Sequence, residues 1–276
     1  MKKLGVNRKI RLINFSNLKN YHLNNEKINL IDVNFNQNKP FDIISSKSND
    51  YIKKSFDIAL KILNTKITNK LINGPVSKKY FLKKKFLGIT EYLAFRTKTK
   101  NFAMLIYNKD LSVCPLTTHL PLKRVSRYID KKIIKKKIEL LDKFFKKYLN
   151  QKPQIAVTGL NPHCESIDTF NEDEKIIRPS IKSLIKSNYK IFGPYAADTI
   201  FLKNNRSKYN VIVGMYHDQV ITPMKTLFEY NAINITLGLP FLRISPDHGP
   251  NEKMIGKNKS SSLSLVSALN FLDFKK

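Results

Sequence analysis

The chain has no run of about 18 apolar residues, so it offers no ordinary transmembrane helix. Its opening residues, MKKLGVNRKIRL, carry positive charge but no apolar stretch long enough for a signal peptide. Cysteine is nearly absent. Cys114 and Cys164 are the two among 276 residues, too few for a disulfide framework, and a reducing, cytoplasmic setting is the expectation. Neither G-x-G-x-x-G nor G-x-x-x-x-G-K-[ST] occurs. The common glycine-rich dinucleotide fingerprint and the P-loop are therefore both missing. There is no internal repeat, long linker or low-complexity tail.

Arginine is scarce in a chain that is otherwise strongly basic. Of 50 basic residues, 42 are Lys and 8 are Arg, and the formal charge is +29. Lys, Asn and Ile are abundant together, and these are the residues that AT-rich codons encode. Such a bias raises charge everywhere without building a binding stripe. Lys131 to Lys147 (KKIIKKKIELLDKFFKK) puts Ile133, Ile134, Ile138, Leu141, Phe144 and Phe145 on one helical face and fills the other with Lys. No nucleic-acid partner and no membrane association are expected. The charge does favour anionic small molecules such as phosphates.

The remaining pattern alternates strands with helices, which argues for an α/β fold with a mostly parallel sheet. Lys27–Val33 is a strand candidate, and a helix capped by Ser48, Asn49 or Asp50 runs to about Asn64, with Ile52, Phe56, Ala59, Leu60 and Leu63 as its stripe. Leu71–Ile72 leads into Asn73-Gly74-Pro75, after which Ser77 can start a helix. Thr90 is the expected cap of the next helix. Phe102–Tyr107 and Leu111–Leu116 read as a hairpin about Asn108-Lys109-Asp110, which makes part of the sheet mixed. Further strands are expected at Gln154–Gly159, Tyr189–Phe192, Val211–Gly214, Ala232–Thr236 and Phe241–Ile244. Helices are expected at Asp173–Lys186, from Ala196, and at Leu263–Phe274 with Leu265, Val266, Leu269 and Leu272 buried.

Four of the five histidines, His119, His163, His217 and His248, follow directly on apolar strand candidates. Strand ends of an open α/β sheet can converge on one crevice. Three neutral imidazoles with an open position make a catalytic site for a divalent ion. Their separations, 44 residues from His119 to His163 and 54 from there to His217, require a folded scaffold. The competing view is that each is a loop residue bonded to backbone. Lys225, Asn234 and Arg243 lie downstream of His217 and suit an anionic substrate, Arg243 above all; in so basic a chain, Lys225 is equally a solvated charge. Asp198 is either a helix-terminus charge or an acid/base. Cys164 reads as an incidental loop residue.

Asn73-Gly74-Pro75-Val76, Gly88-Ile89-Thr90-Glu91, Thr117-Thr118-His119-Leu120-Pro121-Leu122, Gly159-Leu160-Asn161-Pro162-His163 and Ala197-Asp198-Thr199-Ile200-Phe201 occur in one order. Met215-Tyr216-His217-Asp218-Gln219, Asn234 to Phe241 (NITLGLPF) and Asp247-His248-Gly249 complete the set. Over about residues 45 to 273 the chain resembles the 4-hydroxythreonine-4-phosphate dehydrogenase family of pyridoxal phosphate biosynthesis.

That resemblance implies an isocitrate/isopropylmalate-dehydrogenase-like fold over residues 1–276, a single dehydrogenase domain of two intertwined subdomains around a central cleft. It implies a homodimer, NAD or NADP, and one divalent ion (Zn, Mg or Co). The implied reaction oxidises 4-phosphooxy-L-threonine and releases carbon dioxide, giving 3-amino-2-oxopropyl phosphate. His119, His163 and His217 fall on the family's metal ligands, the last of them donated by the partner subunit. Thr90, Lys225, Asn234 and Arg243 fall on substrate positions, and the expected catalytic residues are Asp198 and Lys225. No cofactor-binding residue is assigned.

Four departures from the family pattern stand out. Ile89 replaces the histidine of the family's G-H-T-E. Cys-Glu-Ser follows His163 where the family is Gly-rich, and Pro250 follows the shared Gly249. The family's opening G-[DE]-P-x-G-I-G-P has no match, and Met1–Gly5 looks like the end of that unit. The expectation is either a misplaced start or a true loss of the first strand–helix–strand unit. Two alternatives follow: a dehydrogenase of a phosphorylated four-carbon sugar acid (threonate or erythronate), or an inactive homologue that binds a phosphorylated ligand.

Overall fold

Short runs of β-branched residues make the strands of this chain, and stretches of period 3.6 make its helices. The structure is a computed structural model that describes residues 7–24, 26–39, 41–83 and 85–273. Met1–Gly5 and Phe274, both named in the expectations above, lie outside these residues.

The chain divides into two compact units, Met1–Asn69 and Lys70–Lys276. In the first, β1 (Ile10–Leu12) pairs in parallel with β2 (Ile28–Leu30), and α1 spans Asn49–Asn64. Phe56 of the α1 stripe is fully buried, while Ile52, Ala59, Leu60 and Leu63 are half-buried. Ser48 makes no side-chain cap bond. The chain instead enters α1 through a 3-10 turn at Ser46–Ser48, and Ser45 caps that turn.

The second unit runs β3 (Lys70–Ile72), α2 (Ile89–Arg96), β4 (Ala103–Tyr107), β5 (Ser112–Pro115), α3 (Val125–Tyr128), α4 (Lys131–Leu149), β6 (Ile155–Thr158) and α5 (Arg178–Lys186). It continues through β7 (Ile191–Tyr195), α6 (Ala197–Ile200), α7 (Lys203–Arg206), β8 (Val211–Gly214), α8 (His217–Phe228), β9 (Ile233–Leu237), β10 (Leu242–Pro246) and α9 (Leu263–Asp273). Its eight strands form one sheet in the order β3-β10-β9-β4-β5-β8-β6-β7. β3 and β10 are parallel at one flank, and β5, β8, β6 and β7 are parallel at the other. Between them β10–β9, β9–β4 and β4–β5 are antiparallel. The expected hairpin is β4–β5, and Asn108 Oδ1 accepts from the Asp110 N–H to tighten its turn.

Side chains alternate across a sheet, so the unit has two cores. On one face Leu105, Val157, Val213 and Ile235 join Ile134, Ile138, Leu141 and Phe145 of α4. On the other, Ile106, Val113 and Ile212 join Val220 and Met224 of α8. Each such fully buried side chain contributes about 1.5–3 kcal/mol. The second face turns polar toward its β3 edge. Arg243 lies opposite Thr236, which lies opposite Met104; Ser245 lies opposite Asn234, which lies opposite Ile106.

Two side-chain expectations are corrected. Lys137 is not on a solvated face of α4. It is 9% exposed, its Nζ donates to the Phe102 carbonyl, and it lies over the Phe102 ring. In α9 the buried residues are Ser264, Ala268 and Phe271, while Leu265, Val266 and Leu269 are 42–49% exposed. α9 is apolar around much of its circumference, so periodicity does not choose its inner face. The contacts that do are the Ser264 hydroxyl on the Ala232 carbonyl, and Phe271 against Tyr107 and Phe144.

Candidate active site

β5 and β8 are parallel neighbours with Pro115 opposite Gly214, so the chain leaves both strands at one edge. Thr117 ties the two exits together: its N–H and hydroxyl both bond to the Met215 carbonyl. Two residues further along each path come His119 and His217, whose ring centroids are 5.7 Å apart. His217 therefore reaches His119 within one chain.

Each ring has a carboxylate at Nδ1. Asp218 Oδ1 is 2.6 Å from His217 Nδ1, and Glu91 Oε1 is 3.4 Å from His119 Nδ1. Glu91 stands in the first turn of α2 and also accepts from the Thr118 hydroxyl at 3.0 Å. Burial alone would raise its pKa. The bond and charge of His119, a backbone bond and Thr118 outweigh burial and hold it below the ordinary carboxylate value. On the far side of the His119 ring, Lys78 Nζ is 3.1 Å from Nε2.

The two histidines share a cavity of about 490 Å³ with Ile89, Lys225, Asn234, Arg243 and His248. Arg243 is 2% exposed. Its Nε donates to Asn73 Oδ1 at 2.7 Å and its Nη1 to the Thr236 hydroxyl at 3.1 Å. No carboxylate among the described residues pairs with it. Burial pushes its guanidinium down to about 10, against the charge of Glu91, so it is still a cation at neutral pH. Asn234 Oδ1 and His119 Nδ1, on cavity-lining residues, and Glu91 Oε2 behind them are buried without hydrogen-bond partners. Buried polar atoms are nearly always satisfied in folded proteins, so Asn234 Oδ1 is available to a group that enters the cavity.

Thr90 is buried inside α2, which starts from Gly88. Thr90 is not the cap, and its hydroxyl meets that of Thr236 at 3.2 Å. Lys225 Nζ, near the end of α8, contacts both the carboxylate and the carbonyl of Asp247. Burial raises the Asp247 pKa, and the Lys225 bond and charge only partly counter it.

Asp198 and His163 stand elsewhere. Asp198 lines a neighbouring, more open depression with Tyr216, Asp218, Gln219 and Thr222. His163 is exposed, on a 3-10 turn where it and Cys164 adopt left-handed φ of 55° and 63°. That turn is anchored by the buried Asp173, whose carboxylate accepts the N–H groups of Leu160 and Asn161. Cys164 is buried beneath it, close to Gly159.

Two imidazoles whose Nδ1 atoms face carboxylates can offer Nε2 to a cation, the usual support of histidine–metal bonds, and Lys78 stands at that nitrogen of His119. The donor chemistry suits a divalent ion. Among the described residues no group of three or more His, Cys, Asp or Glu side chains is placed to hold one. Sequence reasoning assigned no role to Lys78, Glu91, Asn73, Thr236 or Asp247. For Thr236 and Arg243 the signal lay in strand alternation once the register was known.

A family model described as "Pyridoxal phosphate biosynthetic protein PdxA" matches residues 2–272. The 4-hydroxythreonine-4-phosphate dehydrogenase of Sulfurihydrogenibium sp. (strain YO3AOP1) is 40% identical over 76% of this chain and 66% of its own length. The D-threonate 4-phosphate dehydrogenase of Pectobacterium atrosepticum is 36% identical over 64% of this chain and 56% of its own. The chain thus spans less than two thirds of the length of these curated relatives. The crystal structure of a 4-hydroxythreonine-4-phosphate dehydrogenase from Klebsiella pneumoniae superposes with a TM-score of 0.80 at 27% identity, covering 98% of this chain and 84% of that one.

Proposed function

The chain belongs to the PdxA family of pyridoxal phosphate biosynthetic proteins, and we propose that it oxidises and decarboxylates 4-phosphooxy-L-threonine to 3-amino-2-oxopropyl phosphate with NAD or NADP and a divalent ion. The fold is read as isocitrate/isopropylmalate-dehydrogenase-like. The observation that carries the proposal is the buried Arg243, paired with no carboxylate among the described residues, in one cavity with two histidines that face carboxylates.

Arg243 binds an anionic group of the substrate through guanidinium hydrogens not used by Asn73 and Thr236. Asn234 offers its free Oδ1 to a substrate hydroxyl or ammonium hydrogen. Thr90 orients through its hydroxyl. His119 and His217 hold the divalent ion through Nε2, and a second copy of this chain supplies His163, which is exposed and anchored on its own turn. Such an ion, when bound, lowers the pKa of the substrate hydroxyl and withdraws charge from the carbonyl that oxidation creates. The nicotinamide accepts the hydride, which is the cofactor's own chemistry; the sequence holds no Gly-rich phosphate loop, and the proposal assigns the nucleotide no residues. Lys225 carries its proton at Nζ beside Asp247 and delivers it to the carbon left behind by carbon dioxide. Asp198, outside the cavity, acts at most through Asp218, with which it shares the neighbouring depression.

Purified protein given 4-phosphooxy-L-threonine, a divalent ion and NAD or NADP should reduce the nucleotide. Absence of both turnover and substrate binding would reject the proposal. A second reading rests on Ile89, an apolar cavity wall where the family has histidine, and on the likeness to a D-threonate 4-phosphate dehydrogenase. The two substrates differ at C2, amino against hydroxyl. A higher kcat/KM for threonate 4-phosphate than for 4-phosphooxy-L-threonine would favour this second reading.

A further inference from the structure

Arg243 lies on β10 between two strands that each supply it one neutral acceptor. On one side Asn73 follows β3, where its N–H bonds to the Ile244 carbonyl at 3.2 Å. Asn73 Oδ1 accepts from Arg243 Nε at 2.7 Å, and Asn73 Nδ2 donates to the Gly74 carbonyl at 2.9 Å. A side-chain amide has one accepting end and one donating end. The Gly74 carbonyl takes the donating end, so the accepting end is the one that meets the guanidinium. On the other side Thr236 of β9 stands opposite Arg243 in register, and its hydroxyl accepts from Nη1 at 3.1 Å. No acceptor among the described residues meets Nη2, and Arg243 lines the cavity.

A buried cation without a counter-ion is costly. A carboxylate in the place of Asn73 would offset that cost in the empty protein, but it would also neutralise the charge that an entering anion needs. We propose that Asn73 is a positioning residue that aims the Arg243 fork with a neutral acceptor and so leaves the guanidinium charge to an anionic ligand. The proposal rests on Arg243 being the anion anchor. Bonds on Nε and Nη1 together fix the plane of the fork, and the ligand takes the Nη2 hydrogens and the second hydrogen of Nη1. A fork held in that plane before the anion arrives loses less freedom on binding.

The test is calorimetric titration of inorganic phosphate into the full chain at fixed pH and salt, for wild type, Asn73→Ala, Asn73→Asp and Arg243→Met. Asn73→Ala removes the bond to Nε and adds no charge, and should weaken phosphate binding about threefold to tenfold. Asn73→Asp keeps an oxygen for Nε but sets a negative charge against the guanidinium, and should weaken phosphate binding by more than about thirtyfold. A role confined to holding the fold ranks the two the other way, because Asp retains the bond that Ala deletes. Melting curves report the fold of each variant. Phosphate binding by folded Asn73→Asp equal to or tighter than that of Asn73→Ala overturns the proposal. If only one of the two folds, phosphate binding at the wild-type level by that one overturns it. If wild type and Arg243→Met bind phosphate alike, the anchor reading fails and the proposal falls with it. If wild type binds more tightly than Arg243→Met and both Asn73 variants match wild type, only the role of Asn73 is lost.

Discussion

The imidazoles of His119 and His217 lie 5.7 Å apart in one chain although 98 residues separate them in sequence. Their strands, β5 and β8, are hydrogen-bonded neighbours, and the Thr117–Met215 contacts close the gap between the exits. His163 follows β6, which pairs with the far edge of β8, yet its turn presents it to solvent instead of to the cavity. On the proposed function, these two imidazoles form one chain's share of the metal site and His163 is offered to a second copy.

On the proposed function, Arg243 anchors the anionic group of the substrate. Inorganic phosphate should raise the melting temperature of the wild type, as any ligand of the folded state does, and should leave Arg243→Met unmoved. Arg243→Lys should raise KM for the phosphorylated substrate by roughly tenfold to a hundredfold, the scale of hydrogen bonds to a charged group. Phosphate stabilising wild type and Arg243→Met alike would remove Arg243 from this role.

Asp247 gives the ligand-free fold a pH dependence whose sign is set by its raised pKa. A carboxyl that holds its proton more tightly when folded adds stability below its unfolded value. That contribution is lost as the pH climbs through the raised folded value. Urea unfolding should therefore show wild-type stability falling, relative to Asp247→Asn, as the pH rises from the ordinary value of 3.8. Parallel pH profiles for the two proteins would contradict the assignment.

Asp173 is fully buried and holds the turn that carries His163 through the N–H groups of Leu160 and Asn161. Asp173→Ala leaves two backbone donors without their acceptor, at about 1–3 kcal/mol for each left unsatisfied. Limited proteolysis should then cut at 160–170 while the rest of the second unit persists. Cleavage there unchanged from wild type would show that the turn does not depend on this carboxylate.

Much of the second unit was legible because apolar strands such as Val211–Gly214 stop abruptly at polar clusters, and because α4 has a clean stripe. The insertion of β9 between β4 and β10 was not legible, since strand order depends on pairings distant in sequence. The inner face of α9 was hidden by its all-round apolarity, and the burial of Lys137 by the lysines around it. Of the residues singled out from sequence, His119, His217, Lys225, Asn234 and Arg243 share a cavity. Lys78 and Glu91 were passed over because a Lys in a lysine-rich chain and a Glu in a first helical turn carry no signal until His119 is placed between them. Thr90 was mistaken for a cap because it stands one residue inside the helix that Gly88 begins.

The central claim is that His119 and His217 belong to one chain's half of the site and His163 to the other's. Mixing separately purified, inactive histidine variants as refolded dimers tests it. His119→Ala mixed with His163→Ala should recover about a quarter of wild-type activity, because half the dimers are hybrids with one intact site of two, whereas His119→Ala mixed with His217→Ala should recover none. Recovery in the second mixture and not in the first would place His217 across the interface and contradict the account.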